Sequence, residues 1–258
     1  MIEPQKLSEI ITRQAPKMAL CETHGEFESR NLFRDVWGKC PQCAANQQAT
    51  EQREAEERAV VVKHLAWQRK LGEASIPARF HDRTLDSYMP AADGQRRALA
   101  FAREYACNFR AAIETGRSAI FCGRPGTGKT HLAVGIGLEV MQSGRLVLFT
   151  TAQRAFRRIK DSWHKDCDES EGDVIRLLVH PDLLILDEIG VQFGTKFEEN
   201  ALFDILNARY ENRRPSLLLS NLTAPEVRAF LGERIYDRIK EDGGVIVPFD
   251  WQSHRGAP

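Results

Sequence analysis

Five short apolar runs punctuate the second half of the chain: Ala119-Ile120-Phe121-Cys122, Leu146-Val147-Leu148-Phe149, Leu183-Leu184-Ile185-Leu186, Leu217-Leu218-Leu219 and Val245-Ile246-Val247. Gly or Pro stands close to most of them, and stretches of helical character lie between. Apolar runs without polar alternation predict strands buried on both faces, so the pattern predicts an α/β domain with a five-stranded parallel sheet covered by helices on both sides. Upstream the pattern changes. Residues 5–15 read as a short helix ended by Pro16, and 19–45 are rich in Cys, Gly and aromatics with little periodicity. From Ala44 to Leu71 there is neither Gly nor Pro, and Val60, Val61, His64, Leu65 and Trp67 make a partial apolar stripe, which predicts one long connecting helix. Gly72 and Pro77 end it, and a second helix is expected from about Gly94 to Thr115. The expected organisation is a small module over 1–45, a helical linker over 46–75 and the α/β domain over 76–258.

Composition adds limits. The chain has 258 residues, 42% hydrophobic and 28% charged, which is ample for a core. Its 36 Lys and Arg balance 36 Asp and Glu, so no global field draws it to nucleic acid or acidic lipid, and any such contact must come from a local patch. No apolar run approaches the roughly 20 residues needed to span a bilayer, and Met1–Lys6 lack a signal-peptide pattern, so the expectation is a cytoplasmic protein with no membrane partner. In that compartment the six cysteines are thiols and not a disulfide frame.

Directly after the first run comes Gly123-Arg124-Pro125-Gly126-Thr127-Gly128-Lys129-Thr130, a complete G-x-x-x-x-G-K-[ST] loop opening a helix at His131. Glycines let backbone N–H groups turn toward phosphates, Lys129 reaches the β/γ-phosphates and Thr130 ligates Mg²⁺. The third run ends in Asp187-Glu188. Beside a phosphate loop, Asp187 holds Mg²⁺ and Glu188 orients or deprotonates water, which favours ATP hydrolysis over transfer to a metabolite. Asn221, after the fourth run, is placed to meet the γ-phosphate or the attacking water, although Asn also simply favours turns.

Cys21-x-x-His24 and Cys40-Pro41-Gln42-Cys43 form two short-spaced pairs, the spacing of a Zn²⁺ site on which a coreless module gains its fold. Phe27, Phe33 and Trp37 are candidates to pack around it, whereas Cys107, Cys122 and Cys167 read as packing residues. Around the ligands, Arg30, Arg34 and Lys39 face Glu22, Glu26, Glu28 and Asp35. That near-neutral surface favours a protein partner over a phosphate backbone, while ligand spacing alone leaves DNA and protein open.

The runs G-R-P-G-T-G-K-T-H-L-A (123–133), L-L-I-L-D-E-I-G (183–190), L-S-N-L (219–222), G-E-R-I-Y-D-R-I (232–239) and F-D-W-Q-S-H-R (249–255) resemble the DnaC family of AAA+ replicative helicase loaders, with IstB transposition ATPases as close relatives. The resemblance covers about residues 70–258. It implies a self-associating AAA+ ATPase that ties the hexameric replicative helicase to DNA, its N-terminal region gripping the helicase. It also implies an arginine supplied in trans to the neighbour's ATP, here Arg238 with Arg234 beside it. Spaced i and i+4, the two share a helix face, and a solvated helix with Glu233 and Asp237 as partners is the plainer alternative. Arg255 matches a terminal family arginine that would touch phosphates in its own subunit.

After the second run, residues 152–165 interleave Arg154, Arg157, Arg158, Lys160 and Lys165 with Phe156 and Trp163, a composition suited to single-stranded DNA. In related loaders this region faces the central channel, which makes Phe156, Arg157 and Arg158 the DNA candidates. Yet Phe156, Ile159 and Trp163, at i, i+3 and i+7, also describe a packed helix face. Competing functions are an IstB-like transposition helper, a zinc-held adaptor switched by nucleotide without turnover, and, more distantly, a metabolite kinase.

Overall fold

The computed structural model describes residues 15–33, 35–55, 76–191 and 195–253, with the side chain of Phe33 excluded. The chain forms two compact units, Met1–Ala66 and Trp67–Pro258. All but the last residue of the helix expected over 5–15, the linker beyond residue 55 with its apolar stripe, and Arg255 lie outside the described residues.

In the first unit β1 (Lys17–Cys21) pairs antiparallel with β2 (Gly25–Ser29), in register from Lys17 opposite Ser29 to Cys21 opposite Gly25. A second, shorter antiparallel pair joins β3 (Asn31–Phe33) to β4 (Val36–Trp37). Residues 41–55 are helical (α1), and Pro41 stands at the first helical position, where its missing N–H costs nothing.

The second unit is a three-layer sandwich. Its strands are β5 (Ala119–Gly123), β6 (Val147–Thr151), β7 (Leu183–Ile189), β8 (Ser216–Ser220) and β9 (Val245–Phe249). They run in the order β6-β7-β8-β5-β9 with every neighbouring pair parallel. Each expected apolar run is therefore a strand of one buried sheet. The helices are α2 (Asp93–Cys107), α3 (Phe109–Thr115), α4 (Lys129–Gln142), α5 (Ala152–Asp161), α6 (Glu171–Val179), α7 (Lys196–Glu211) and α8 (Ala224–Glu241).

Alternation along the strands splits the core in two. Phe121, Leu183, Ile185, Leu217 and Leu219 meet α2, α3 and α4 on one face. On the other, Ile120, Leu148, Leu184, Leu186 and Leu218 meet α5 to α8. Below the strands' amino ends Arg209, 1% exposed, donates to Ser216 Oγ and to the carbonyls of Leu178, Val179, Pro181 and Pro215. Burial pulls its pKa down to about 9, so it remains charged at neutral pH and ties three chain segments together.

Two expectations change. The single helix over 94–115 is two helices, because Asn108 leaves helical geometry (φ −98°, ψ 22°) and bonds its side chain back to Glu104. The break at Asn108 starts a new helix from which Phe109 is buried in the core. Of the three cysteines assigned to packing, Cys122 is buried, but Cys107 and Cys167 are exposed. Among the described residues no helix is long and apolar enough to cross a membrane.

Candidate functional site

Strand β5 delivers the chain to the loop at Gly123, whose φ of +126° and closeness to Phe249 admit only glycine: an added Cβ would lie 2.3 Å from Phe249 O. Five residues later Gly128 (φ +96°) starts α4, where a Cβ would strike the Tyr88 ring at 2.7 Å. Between them Thr127 Oγ1 donates to Arg124 O (2.7 Å), and Lys129 Nζ donates to Gly123 O and Arg124 O, each at 2.7 Å. The first N–H groups of α4 have no carbonyl within the helix and carry its positive dipole end, the local field an anion requires. Arg124 and Pro125 are exposed, and Pro125 lines the cleft described below.

Two strands away, β7 ends in a bulge between Leu186 and Ile189 that contains Asp187 and Glu188. The irregularity lets Asp187 accept the Thr130 hydroxyl at 3.0 Å and the Glu188 N–H at 2.7 Å. Burial raises the Asp187 pKa above the ordinary carboxylate range; the bonds from Glu188 N–H and Thr130 oppose the shift, and the Glu188 charge adds to it. Glu188 is exposed and holds a left-handed φ of +62°, a conformation that costs a non-glycine residue about 1 kcal/mol or more. Strained backbone of this kind concentrates at functional positions.

Gly126, Lys129, Thr130, Asp187, Glu188 and Asn221 line one cleft of about 550 Å³ at the carboxyl ends of the strands. Its other lip is made by Arg79, Phe80, Arg83, Ser87, Tyr88 and Met89, which carry no motif. His131 reaches that lip: its Nε2 lies 2.9 Å from Thr84 O and 3.1 Å from Ser87 Oγ, and its ring meets Tyr88 edge-on at 5.2 Å. Burial lowers its pKa and favours the neutral imidazole. The His131 side chain therefore fastens the lip to α4, and the residue lines the same cleft as Lys129 and Thr130.

The two arginines of G-E-R-I-Y-D-R are on α8 after Gly232, which breaks the helix (φ 74°, ψ 156°). Arg234 is exposed over the Phe203 ring at 5.1 Å, and Arg238 rests on Tyr210 at 4.9 Å. Arg238 Nη1 has no hydrogen-bond partner among the described residues. Its neighbours include Gly116, Ser118 and Ser216, at the amino ends of β5 and β8. Arg238 thus stands at the opposite end of the sheet from its own phosphate loop.

The DNA strip divides differently. Phe156 is 2% exposed and packs with Ile159, Val174 and Leu177, so its ring has no face for a base, and the DNA assignment of Phe156 is corrected to a core role. Arg158 is engaged bidentately by Glu169 (2.9 and 2.8 Å), and Lys160 by Glu198 at 3.1 Å. Arg157, Arg154 and Lys165 are exposed. Trp163, 55% exposed, packs edge-on to Phe197 and donates to Glu171.

In the first unit Cys21, His24, Cys40 and Cys43 converge, their ligand atoms all within 4.8 Å of one another. Cys21 Sγ lies 3.5 Å from Cys43 Sγ, and His24 Nδ1 lies 3.7, 3.6 and 3.2 Å from the sulfurs of Cys21, Cys40 and Cys43. A tetrahedral ion with ligands at about 2.0–2.3 Å separates those ligands by about 3.5–3.8 Å, so the donor set fits zinc. Backbone N–H groups of Thr23 and His24 bring the Cys21 thiol down to about 6, while the Cys21 sulfur pushes Cys43 up to about 11. Lys17 Nζ caps the Trp37 ring at 3.9 Å.

A family model described as IstB-like ATP binding protein matches residues 56–246. The replicative helicase loader DnaC of Escherichia coli (strain K12) is 35% identical over 188 residues, 73% of this chain and 75% of the relative. Replicative helicase loader DnaC of Buchnera aphidicola subsp. Acyrthosiphon pisum is 33% identical over 193 residues, 75% and 77% of the two chains. Among solved structures, the crystal structure of the DnaC helicase loader aligns with a TM-score of 0.59 at 24% identity, over 66% of this chain and 98% of that one. The shared fold is the α/β sheet with a phosphate loop after β5.

Proposed function

This chain belongs to the family of IstB-like ATP-binding proteins, and we propose that it is an ATP-hydrolysing loader of the replicative helicase. The observation that carries the ATPase reading is the single cleft joining the phosphate loop, Asp187-Glu188 and Asn221. In this reading backbone N–H groups from Gly126 to Thr130 and the Lys129 ammonium bind the phosphates. Thr130 and Asp187 hold Mg²⁺, which when bound neutralises phosphate charge. Glu188, exposed at the mouth, takes the proton of the attacking water, and Asn221 orients it. Likeness to the two DnaC loaders supports the replicative role and a helicase as partner.

Arg238 serves the neighbouring subunit's nucleotide in this reading, since its place at the far end of the sheet keeps it from its own. Exposed Arg157 remains the DNA contact of the strip, without a stacking Phe156. The Cys21, His24, Cys40 and Cys43 cluster holds one structural zinc ion, and the module around it offers the exposed apolar residues Met18, Leu20, Leu32 and Val36 to a protein partner. Mixing tests the trans assignment. Arg238→Ala and Glu188→Gln proteins should each be nearly inactive, and co-assembled they should regain ATP turnover at interfaces where both groups are intact. No recovery despite co-assembly would remove Arg238 from the neighbour's site.

A further inference from the structure

Trp251 donates its indole Nε1–H to Thr127 O across 2.9 Å, linking residues 124 positions apart. A peptide unit is planar and trans, so its C=O and N–H point to opposite sides. Fixing the Thr127 carbonyl outward on Trp251 therefore turns the Gly128 N–H of the same peptide the other way, into the loop where phosphate is cradled. The Tyr88 hydroxyl approaches the same carbonyl at 3.5 Å, a weaker second restraint.

Two residues before Trp251, Phe249 O accepts the Arg124 N–H at 3.0 Å and lies against Gly123. Strand β9 thus grips the loop at its start, and Trp251 grips it at its end. The indole itself is seated: it packs against Phe249 at a tilt, 4.8 Å between centroids, and a Cβ on Gly94 would meet it at 2.8 Å. Phe249, which anchors this segment, is fully buried, so the donor is presented from a rigid base.

We propose that Trp251 is a positioning residue for the phosphate loop, its indole N–H holding the Thr127 carbonyl so that the Gly128 N–H is aimed at a nucleotide phosphate. This rests on the reading of the cleft as a nucleotide site. The F-x-W sequence has a physical reason under this proposal: Phe supplies the anchor and the start-of-loop carbonyl, Trp the end-of-loop donor. The indole acts through the loop backbone and touches no reacting atom.

The test is Trp251→Phe in the full chain, which removes the donor and keeps an aromatic ring. Three measurements are made: MgADP affinity by calorimetry, the melting temperature without nucleotide, and the Gly128 amide resonance with and without MgADP. The proposal expects MgADP affinity to fall about fivefold, the size of one net hydrogen bond, with an unchanged melting temperature and a smaller MgADP-induced shift of Gly128. A purely structural tryptophan would lower the melting temperature and leave the affinity of the folded protein intact, which overturns the proposal. Should Phe destabilise the fold, Trp251→3-benzothienylalanine keeps the shape and replaces only the N–H. Parental affinity in that isostere overturns the clamp alone, whereas failure of the unsubstituted chain to bind MgADP overturns both the clamp and the nucleotide reading.

Discussion

The Thr130 hydroxyl donates to Asp187 Oδ2 across 3.0 Å, joining the first turn of α4 to the bulged end of β7 over 57 positions of sequence. In the proposed reading these two oxygens are the protein ligands of Mg²⁺ beside the phosphate loop. Because burial raises the Asp187 pKa, the fold favours the neutral carboxyl, and ionising it at neutral pH costs stability. That cost is absent below the unfolded-state pKa and appears as pH rises through the folded one. Asp187→Asn should therefore leave the melting temperature equal or higher while abolishing the Mg²⁺ dependence of ATP binding. In the parent, that dependence should fade on acidification at a pH above the usual aspartate range, as titration calorimetry across pH would measure.

Lys129 and Glu188 line the same cleft, and the proposed reading gives them different tasks, so their variants should separate binding from turnover. Lys129→Ala removes the ammonium that faces phosphate and should abolish nucleotide binding. Glu188→Gln keeps the cradle and should bind ATP at parental affinity with turnover reduced by about 10² or more. Parallel binding and phosphate-release assays check this, and parental turnover in Glu188→Gln would remove that residue from water activation.

Phe156 is a core residue, and Phe156→Ala should cost about 3–5 kcal/mol in stability by opening a cavity beneath α5. DNA affinity of the folded fraction should stay at the parental value. Arg157→Ala should do the reverse, leaving denaturant unfolding unchanged and lowering the salt slope of single-stranded DNA binding by about one phosphate contact.

The metal cluster predicts one zinc ion per chain by elemental analysis of protein prepared without chelator. Cys40→Ser with Cys43→Ser should lose it and unfold the first unit, while the second unit keeps its thermal transition. Full zinc retention in that double variant would place the metal elsewhere.

Much of this architecture was legible beforehand because its signals are local. A strand buried on both faces is a run of Leu, Ile and Val wherever it lies, and the phosphate loop and Asp187-Glu188 are contiguous motifs. What stayed hidden depends on direction or distance. The stripe through Phe156, Ile159 and Trp163 has one period whether it faces a core or a ligand, and only packing against Val174 and Leu177 decides it. Asn108 breaks a helix by leaving helical backbone angles, which helical spacing does not register. The lip at 79–89 and Trp251 join the site through contacts with Gly128 and Thr127 that no window of neighbouring residues contains.

The central claim is that ATP on this chain serves the placement of a helicase. Its most direct test combines the purified full chain with the hexameric replicative helicase of the same genome and a single-stranded circle coated with binding protein. The account predicts a stable complex of chain and helicase in ATP, followed by ATP-dependent transfer of the helicase onto the circle. Glu188→Gln should form the complex but stall after it. A chain that hydrolyses ATP yet leaves that helicase unbound and unloaded would contradict the account.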